Sequence, residues 1–128
     1  MDELKINYAS KFNTSLILEG QNIILVSPVD ITLMPFDTWS INTGMSLYLT
    51  DKCSAILVNV PHQASNRILL PMAGYLFRGV CEDICITITN FNSIPYKIKA
   101  DSTRVAILQL IGNSVLKKPI TLEVNKVD

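Results

Sequence analysis

Apolar residues alternate with small or polar ones along this chain, most clearly between positions 71 and 111. The run ICITIT at 84–89 places three isoleucines on one face of an extended chain. The run NFNS at 90–93 is typical of a turn, because Asn and Ser side chains bond nearby backbone groups. Alternation resumes at 96–100, and RVAILQLI at 104–111 is almost entirely apolar. These runs predict three strands at the core of a sheet.

The same alternation predicts further short strands along the rest of the chain. Turn residues separate them at close intervals, and no segment longer than two turns has a helical period. The segment PHQASN at 61–66 is the least regular. About ten short strands predict an all-β sandwich or barrel. Besides the three runs above, the predicted strands are 4–8, 23–26, 30–33, 45–49, 53–60, 68–70 and 120–124.

Size and composition limit the class of protein. At 128 residues the chain is expected to form one domain, 1–128, that buries about two thirds of its unfolded surface. Its 48% hydrophobic and 17% charged residues exclude a disordered chain. No apolar run approaches the ~20 residues that span a bilayer, so membrane insertion is not expected. The acidic start, MDELK, has no apolar signal-peptide region.

Charge and cysteine content indicate an intracellular protein that associates with other proteins. Eleven basic residues balance eleven acidic ones, which argues against nucleic-acid binding, because that needs a basic field. The zero net charge and high apolar content suggest that part of the surface serves self-association. Three cysteines, an odd number, indicate reduced thiols in the cytoplasm or nucleus. Cys81 and Cys85 are interpreted as small buried hydrophobes, on one strand face if the strand reaches back that far.

Few residues offer catalytic or metal-binding chemistry. The five glycines are scattered, so no phosphate-binding loop is present, and no nucleophile elbow supports a Ser–His–Asp site. The only histidine, His62, lies on a different segment from Cys81 and Cys85, so neither a zinc site nor another cofactor is expected. His62, beside Gln63, is interpreted as a solvated loop residue.

Four charged residues stand out from their surroundings. Glu82 and Asp83 are adjacent, so on a strand they would point to opposite faces and would not converge on one metal. They are interpreted as solvated turn or edge charges. Arg78 and Arg104 each interrupt an apolar stretch, and each should have a carboxylate or backbone partner. A structural ion pair is favoured over an anion-binding role.

Several short patterns resemble the trimeric dUTPases. Residues 30–49, which include Pro35 and Thr43-Gly44, resemble the strand–turn–strand before that family's second motif. Asn90 follows a strand as the family's Asn does, and Arg104-Val105-Ala106 resembles its Arg-Ile-Ala-Gln strand. The patterns keep their order and spacing over most of the chain, about 25–111.

This resemblance implies a particular architecture and assembly. The expected fold is a β-jelly roll, or distorted barrel, with residues 113–128 as a C-terminal arm. Three such subunits share active sites between chains in the family and often exchange a C-terminal strand. We therefore predict that the tail 117–128 is a strand that packs on a neighbouring subunit of a homotrimer.

Most residues of the family's catalytic motifs have no counterpart at the matching positions of this sequence. The first motif's Asp, a metal-site residue, falls on Ile24, and the Gln after the fourth motif's Arg-x-Ala falls on Ile107. The second motif grips phosphates with Arg-Ser-Gly or Arg-Ser-Ser, but here 61–66 lies opposite and only Ser65 bears any likeness. The glycine-rich fifth motif is absent from the given sequence.

The third motif should bring an Asp that activates water and a Tyr that stacks on the sugar. Depending on register, the Asp position is Phe77 or Gly74, and the Tyr position is Val80 or Phe77. Because diphosphate release needs a base and charged phosphate grips, we predict a protein without dUTP hydrolysis. Its vestigial pocket should comprise Ile24, His62, Gln63, Ser65, Phe77 and Val80.

An inactive dUTPase-like jelly roll of this length resembles the adenoviral early-region-4 open-reading-frame-1 proteins. The block from Tyr75 to Leu110 has the same length as theirs, and Ser27-Pro28 resembles their Ser-Pro pair. That likeness implies a viral early protein that binds host signalling proteins, with PDZ-domain proteins and phosphoinositide 3-kinase as partners. PDZ grooves need an apolar final side chain, whereas this sequence ends in Asp128, so PDZ binding is not carried over.

Three hypotheses follow. The leading one is a non-enzymatic, homotrimeric viral protein that binds host proteins, with Arg78, Arg104, Lys117 and Lys118 as interaction candidates. The second is a divergent dUTP pyrophosphatase with a relocated acid, Glu82 or Asp83. The third is a structural jelly-roll component of a virus.

Overall fold

The computed structural model describes residues 3–12, 16–112 and 121–126, in which it contains fourteen strands and one short helix. The all-β prediction is confirmed. The strands are β1 (Glu3–Ser10), β2 (Ile17–Glu19), β3 (Asn22–Val26), β4 (Ile31–Leu33), β5 (Thr38–Asn42), β6 (Met45–Tyr48), β7 (Cys53–Val58), β8 (Ile68–Leu69), β9 (Leu76–Phe77), β10 (Val80–Cys81), β11 (Cys85–Asn90), β12 (Tyr96–Ile98), β13 (Arg104–Gly112) and β14 (Thr121–Lys126), with helix α1 (Pro61–Ser65) between β7 and β8.

The strands form four small sheets, as in a jelly roll. Their strand orders are β10-β6-β1-β14, β5-β11-β8, β12-β4 and β2-β3-β13-β7-β9. The long apolar strand β13 lies inside the five-stranded sheet, paired antiparallel with β3 and β7. Burial alternates along most of β13: Ala106, Leu108 and Leu110 are buried, whereas Gln109 and Ile111 are exposed, so one face of this strand lies against the core.

The predicted alternation produces the core. Ile84, Ile86 and Ile88 are 3%, 1% and 0% exposed, so the isoleucine face of the 84–89 run points inward as expected. Aliphatic side chains from all four sheets meet them in one cluster. Members that are completely inaccessible include Ile6, Ile23, Leu33, Leu47, Val105 and Leu108.

The sequence predicts an irregular segment at 61–66, but in the structure residues Pro61–Ser65 form α1. Pro61 is at the start of the helix, where its fixed φ is helical and its missing N–H costs no hydrogen bond. Five residues are too few to display a helical period in the sequence. No helix in the described ranges is long and apolar enough to cross a membrane.

The C-terminal strand β14 lies at the edge of the four-stranded sheet. It pairs in parallel with β1 of the same chain, with Glu3 opposite Thr121 and Tyr8 opposite Lys126. The predicted strand in the arm is thus present, one residue later than expected. Lys117 and Lys118 fall outside the described residues, and exchange of the arm between subunits stays a prediction.

Candidate functional site

A polar cavity of about 470 Å³ lies where the end of β1, the start of β6 and the turn after β10 meet. Asp83 forms this turn with a left-handed φ of 50°, and its backbone N–H donates to Ser46 Oγ at 3.1 Å. Lys11 Nζ lies 2.7 Å from Asp83 Oδ1, an oxygen hidden from solvent. The other residues that line the cavity are Ala9, Ser10, Gly44, Tyr48 and Glu82.

This arrangement agrees with the interpretation of the acidic pair as turn charges, and it places both residues on one cavity. Glu82 and Asp83 lie on a turn between β10 and β11, not on a strand, and both line the same cavity. The hydrogen bond and charge of Asp83 raise the pKa of Lys11, which is solvent-exposed. The cavity therefore holds one tethered ammonium and two carboxylates, a group that could contact a small polar ligand.

Residues 75–81 connect two sheets and present apolar side chains to solvent. β9 pairs with β7 and β10 pairs with β6, so the chain passes from the five-stranded to the four-stranded sheet at Arg78-Gly79. Val80 is 65% exposed. Tyr75 and Phe77 make an edge-to-face ring pair with centroids 4.9 Å apart. Phe77, Arg78 and Val80 thus line one shallow cavity of about 370 Å³.

Helix α1 separates the predicted pocket residues by the direction of their side chains. Gln63 is only 2% exposed, and its Nε2 donates to Tyr96 Oη at 2.9 Å and to the backbone carbonyl of Arg104. His62 and Ser65 are exposed, and the Ser65 hydroxyl donates to the His62 carbonyl at 2.9 Å. The solvated interpretation of His62 is confirmed, although on a helix and not a loop.

The six pocket residues do not meet within one chain. Ile24 is 4% exposed on β3, between Ile17 of β2 and Ile107 of β13. Strands β13 and β7 separate β3 from β9, which carries Phe77, so three strand spacings, about 14 Å, lie between them. Whether an assembly of subunits unites the pocket stays a prediction.

The two arginines behave differently. Arg104 forms a bidentate ion pair with Glu19, with Nη1–Oε1 at 2.8 Å and Nη2–Oε2 at 2.5 Å. This confirms the predicted ion pair, which raises the pKa of Arg104 and lowers that of Glu19. Arg78 is exposed, and within the described residues its guanidinium has no hydrogen bond or ion pair, so the predicted partner is wrong for Arg78.

The cysteines do not share one environment. Cys53 is buried, Cys81 is half-buried and Cys85 is exposed, so the prediction that Cys85 is buried is wrong. Cys81 and Cys85 lie on separate strands, β10 and β11. Burial raises the thiol pKa of Cys53 and Cys81. Among the described residues, no three His, Cys, Asp or Glu side chains are grouped to hold a metal ion.

Sequence reasoning missed Lys11 and Ser46, which complete the polar cavity with Asp83. They are 37 or more positions from Asp83 in the chain, and each belongs to an ordinary alternating strand or its end. Only the pairing of β6 with β1 and β10 brings them together. No local signal in the sequence could have found them.

No protein-family model and no curated protein sequence matches the chain. Solved structures do, and those compared are dUTPases. The dUTPase of EIAV has a TM-score of 0.70 at 18% identity, covering 88% of this chain and 92% of that chain. The dUTPase of phage phi11 of S. aureus has a TM-score of 0.69 at 11% identity, covering 88% and 93%. A variant dUTPase of Staphylococcus bacteriophage 80alpha, solved with dUpNHpp, gives 0.66 at 12% identity, covering 90% and 85%. The chain therefore has the dUTPase-like fold.

Proposed function

We propose that this protein is a dUTPase-derived viral protein without hydrolase activity, which acts as a homotrimer and binds host signalling proteins in the cytoplasm or nucleus. The dUTPase-like fold supports the origin. Two apolar side chains support the loss of activity: Ile24 at the position that the resemblance assigns to the metal-site Asp, and Phe77 at the position of the third motif's Asp or Tyr, depending on register.

Gln63 carries this proposal. It lies in the segment opposite the family's phosphate grip, yet its amide is 2% exposed and faces the protein interior. Both of its hydrogen bonds join α1 to neighbouring chain segments, at Tyr96 and at the carbonyl of Arg104. A side chain held in this way stabilises the fold and cannot turn to a phosphate without breaking its partly buried hydrogen bonds to Tyr96 and to the Arg104 carbonyl.

Pyrophosphate release is the direct test. We expect the purified protein, incubated with dUTP and Mg²⁺, to release no pyrophosphate above the uncatalysed background. A known dUTPase under the same conditions provides the positive control. Turnover that scales with protein concentration and persists through repeated purification would refute the proposed loss of activity.

A second candidate, a divergent nucleotide pyrophosphatase, is favoured by one observation. The polar cavity places Glu82 and Asp83 beside the Lys11 ammonium and the hydroxyl of Ser46, so an acid, a cation and a hydroxyl are available together. If turnover is detected, Glu82→Gln and Asp83→Asn should each reduce it strongly. Activity that survives both substitutions would exclude this cavity as its site.

The surface proposed for host binding is the apolar strip Tyr75, Leu76 and Val80 with Arg78. Tyr75 and Val80 are 50% and 65% exposed, and aromatic residues with an arginine are typical of binding hot spots. We expect calorimetry to show that purified phosphoinositide 3-kinase binds the wild-type protein. Its affinity for the double variant Arg78→Glu/Val80→Asp should be lower.

Matched controls make that measurement specific. Lys97→Ala changes an exposed cation on a different sheet, in β12, and should leave binding unchanged. Equal binding by both variants would exclude the strip, and no binding by the wild type would exclude this kinase as the partner. Sedimentation of the same samples tests the trimer separately, because a monomeric wild type would contradict it.

A further inference from the structure

Among the described strands, β5 is an edge strand that lacks the usual protection. It ends the three-stranded sheet, and no strand in the described ranges lies beyond it. Its five residues, TWSIN, include neither a charge nor a proline. Exposed edges are normally short, charged, bulged or interrupted by proline, because an open edge can pair with another strand.

The other outer strands are protected by length or by charge. β8, β9 and β10 have two residues each, and β2, β4 and β12 have three. β14, the remaining outer strand, has six residues, and its sequence contains Glu123 and Lys126. Among the described strands, β5 is therefore the longest uncharged edge.

The hydrogen-bond pattern shows which backbone groups of β5 face outward. Asn90 N–H donates to the Asp37 carbonyl at 3.0 Å, and Thr43 N–H donates to the Ile84 carbonyl at 3.1 Å. Bonded pairs alternate along an antiparallel ladder, so positions 39 and 41 also bond to β11. The backbone groups of Thr38, Ser40 and Asn42 must then point away from β11, toward the open edge.

We propose that β5 pairs antiparallel with β5 of a second copy of this chain, about a twofold axis at Ser40. The outward residues are spaced symmetrically about that position, so Thr38 lies opposite Asn42 of the other copy and Ser40 lies opposite Ser40. Each of these pairs is of the hydrogen-bonded kind. The contact is self-complementary, as a twofold interface requires.

The side chains fit the same register. Trp39 falls opposite Ile41 of the second copy in a non-bonded pair, where side chains approach closely. Ile41 is buried, whereas Trp39 is 46% exposed at the rim of the core, so pairing would cover the indole. Aromatic and β-branched residues form favourable cross-strand pairs. No two like charges meet along the five positions, and the net charge of the chain is zero.

Register-specific crosslinking tests the proposal, with Cys81→Ser/Cys85→Ser as the background. Cα atoms of a bonded antiparallel pair are about 5.5 Å apart, within the range for a disulfide. We expect Ser40→Cys to form a covalent dimer on mild oxidation. Thr38→Cys alone should not, because its two copies would be about 14 Å apart, but mixed with Asn42→Cys chains it should form the heterodimer.

Failure of Ser40→Cys to crosslink, or equal crosslinking by Thr38→Cys alone, would overturn this register. Trp39 is the only tryptophan, so its emission gives an independent readout in the unmodified chain. We expect the emission maximum of the wild type to shift to the red on dilution, as the dimer dissociates and Trp39 is exposed. The Ser40→Lys variant should be folded and red-shifted at every concentration, because two lysines would meet at the axis and prevent pairing. Emission independent of concentration, identical in wild type and variant, would also overturn the proposal. This contact is separate from the proposed trimer and does not depend on it.

Discussion

Replacement of Asn90 by alanine should be among the most damaging single changes in this protein. Asn90 is completely buried at the end of β11. Its Nδ2 donates to the carbonyls of Leu33 and Ile94, both at 2.9 Å, and its Oδ1 accepts the N–H of Asn92 at 2.8 Å. One side chain therefore joins β4, β11 and the turn that leads to β12.

The magnitude follows from those three bonds. The bond to Leu33 is buried, and its carbonyl would lose its donor in a place without water, at a cost of about 2 kcal/mol. The other two bonds are partly buried and contribute about 1 kcal/mol each. We expect Asn90→Ala to lower the free energy of unfolding by about 3 to 4 kcal/mol.

Urea unfolding followed by far-UV circular dichroism, at one fixed protein concentration, measures this loss. With a slope of about 1.5 kcal/mol per molar urea, the midpoint should fall by about 2 M. Asn92→Ala is the matched control, because it removes only an exposed bond to the Asn66 carbonyl and should cost under ~0.5 kcal/mol. If the two variants unfold within about 1 kcal/mol of each other, the bridging role assigned to Asn90 is wrong.

Two further predictions concern local geometry and charge. Gly44 has a φ of +69°, and an added Cβ would lie 2.3 Å from the Phe12 ring, so the backbone strain and the overlap together should destabilise Gly44→Ala by about 2 kcal/mol. Gly79→Ala, with a similar φ of +65° but open space around it, should cost only about 1 kcal/mol, and equal thermal shifts would exclude the Phe12 contact. Arg104 holds the pKa of Glu19 below its ordinary value of 4.5, so this pair stabilises the fold fully above about that pH and is lost as the pH falls through the native pKa. A carbon-13 titration of Glu19 should show the lowered midpoint in wild type and its return toward 4.5 in Arg104→Gln; an unchanged midpoint would exclude the pair in solution.

Strands with a complete period could be predicted from the sequence, and very short elements could not. Ile84, Ile86 and Ile88 repeat every second residue over a run long enough to display the period, and all three are buried. β9 and β10 have two residues each, too few for any repeat. The five residues of α1 have the same difficulty. Tertiary pairing, not local pattern, decides the structure of such segments.

Sites formed by distant residues were equally hidden. The sequence shows Asp83 as an acid on a turn or edge, but it does not show which distant residues contact it. Its left-handed φ and its contacts with Lys11 and Ser46 arise only when β6 pairs with β1 and β10. The sequence predicts that Arg104 has a charged partner, but it does not predict that this partner is Glu19.

The requirements of this fold differ from those that the dUTPase resemblance assigns to nucleotide hydrolysis. The core needs buried aliphatic faces, such as that of β11, and polar bridges at turns, such as Asn90. Neither requirement involves the position held by Val80, which is exposed, whereas half-buried Phe77 packs against the core cluster. The position of Val80 can therefore change without loss of the core, and the Gln63 side chain makes structural hydrogen bonds. This separation explains how a chain 11–18% identical to dUTPases keeps their fold, and it makes the hydrolysis assay, not the fold, the measurement that decides the function.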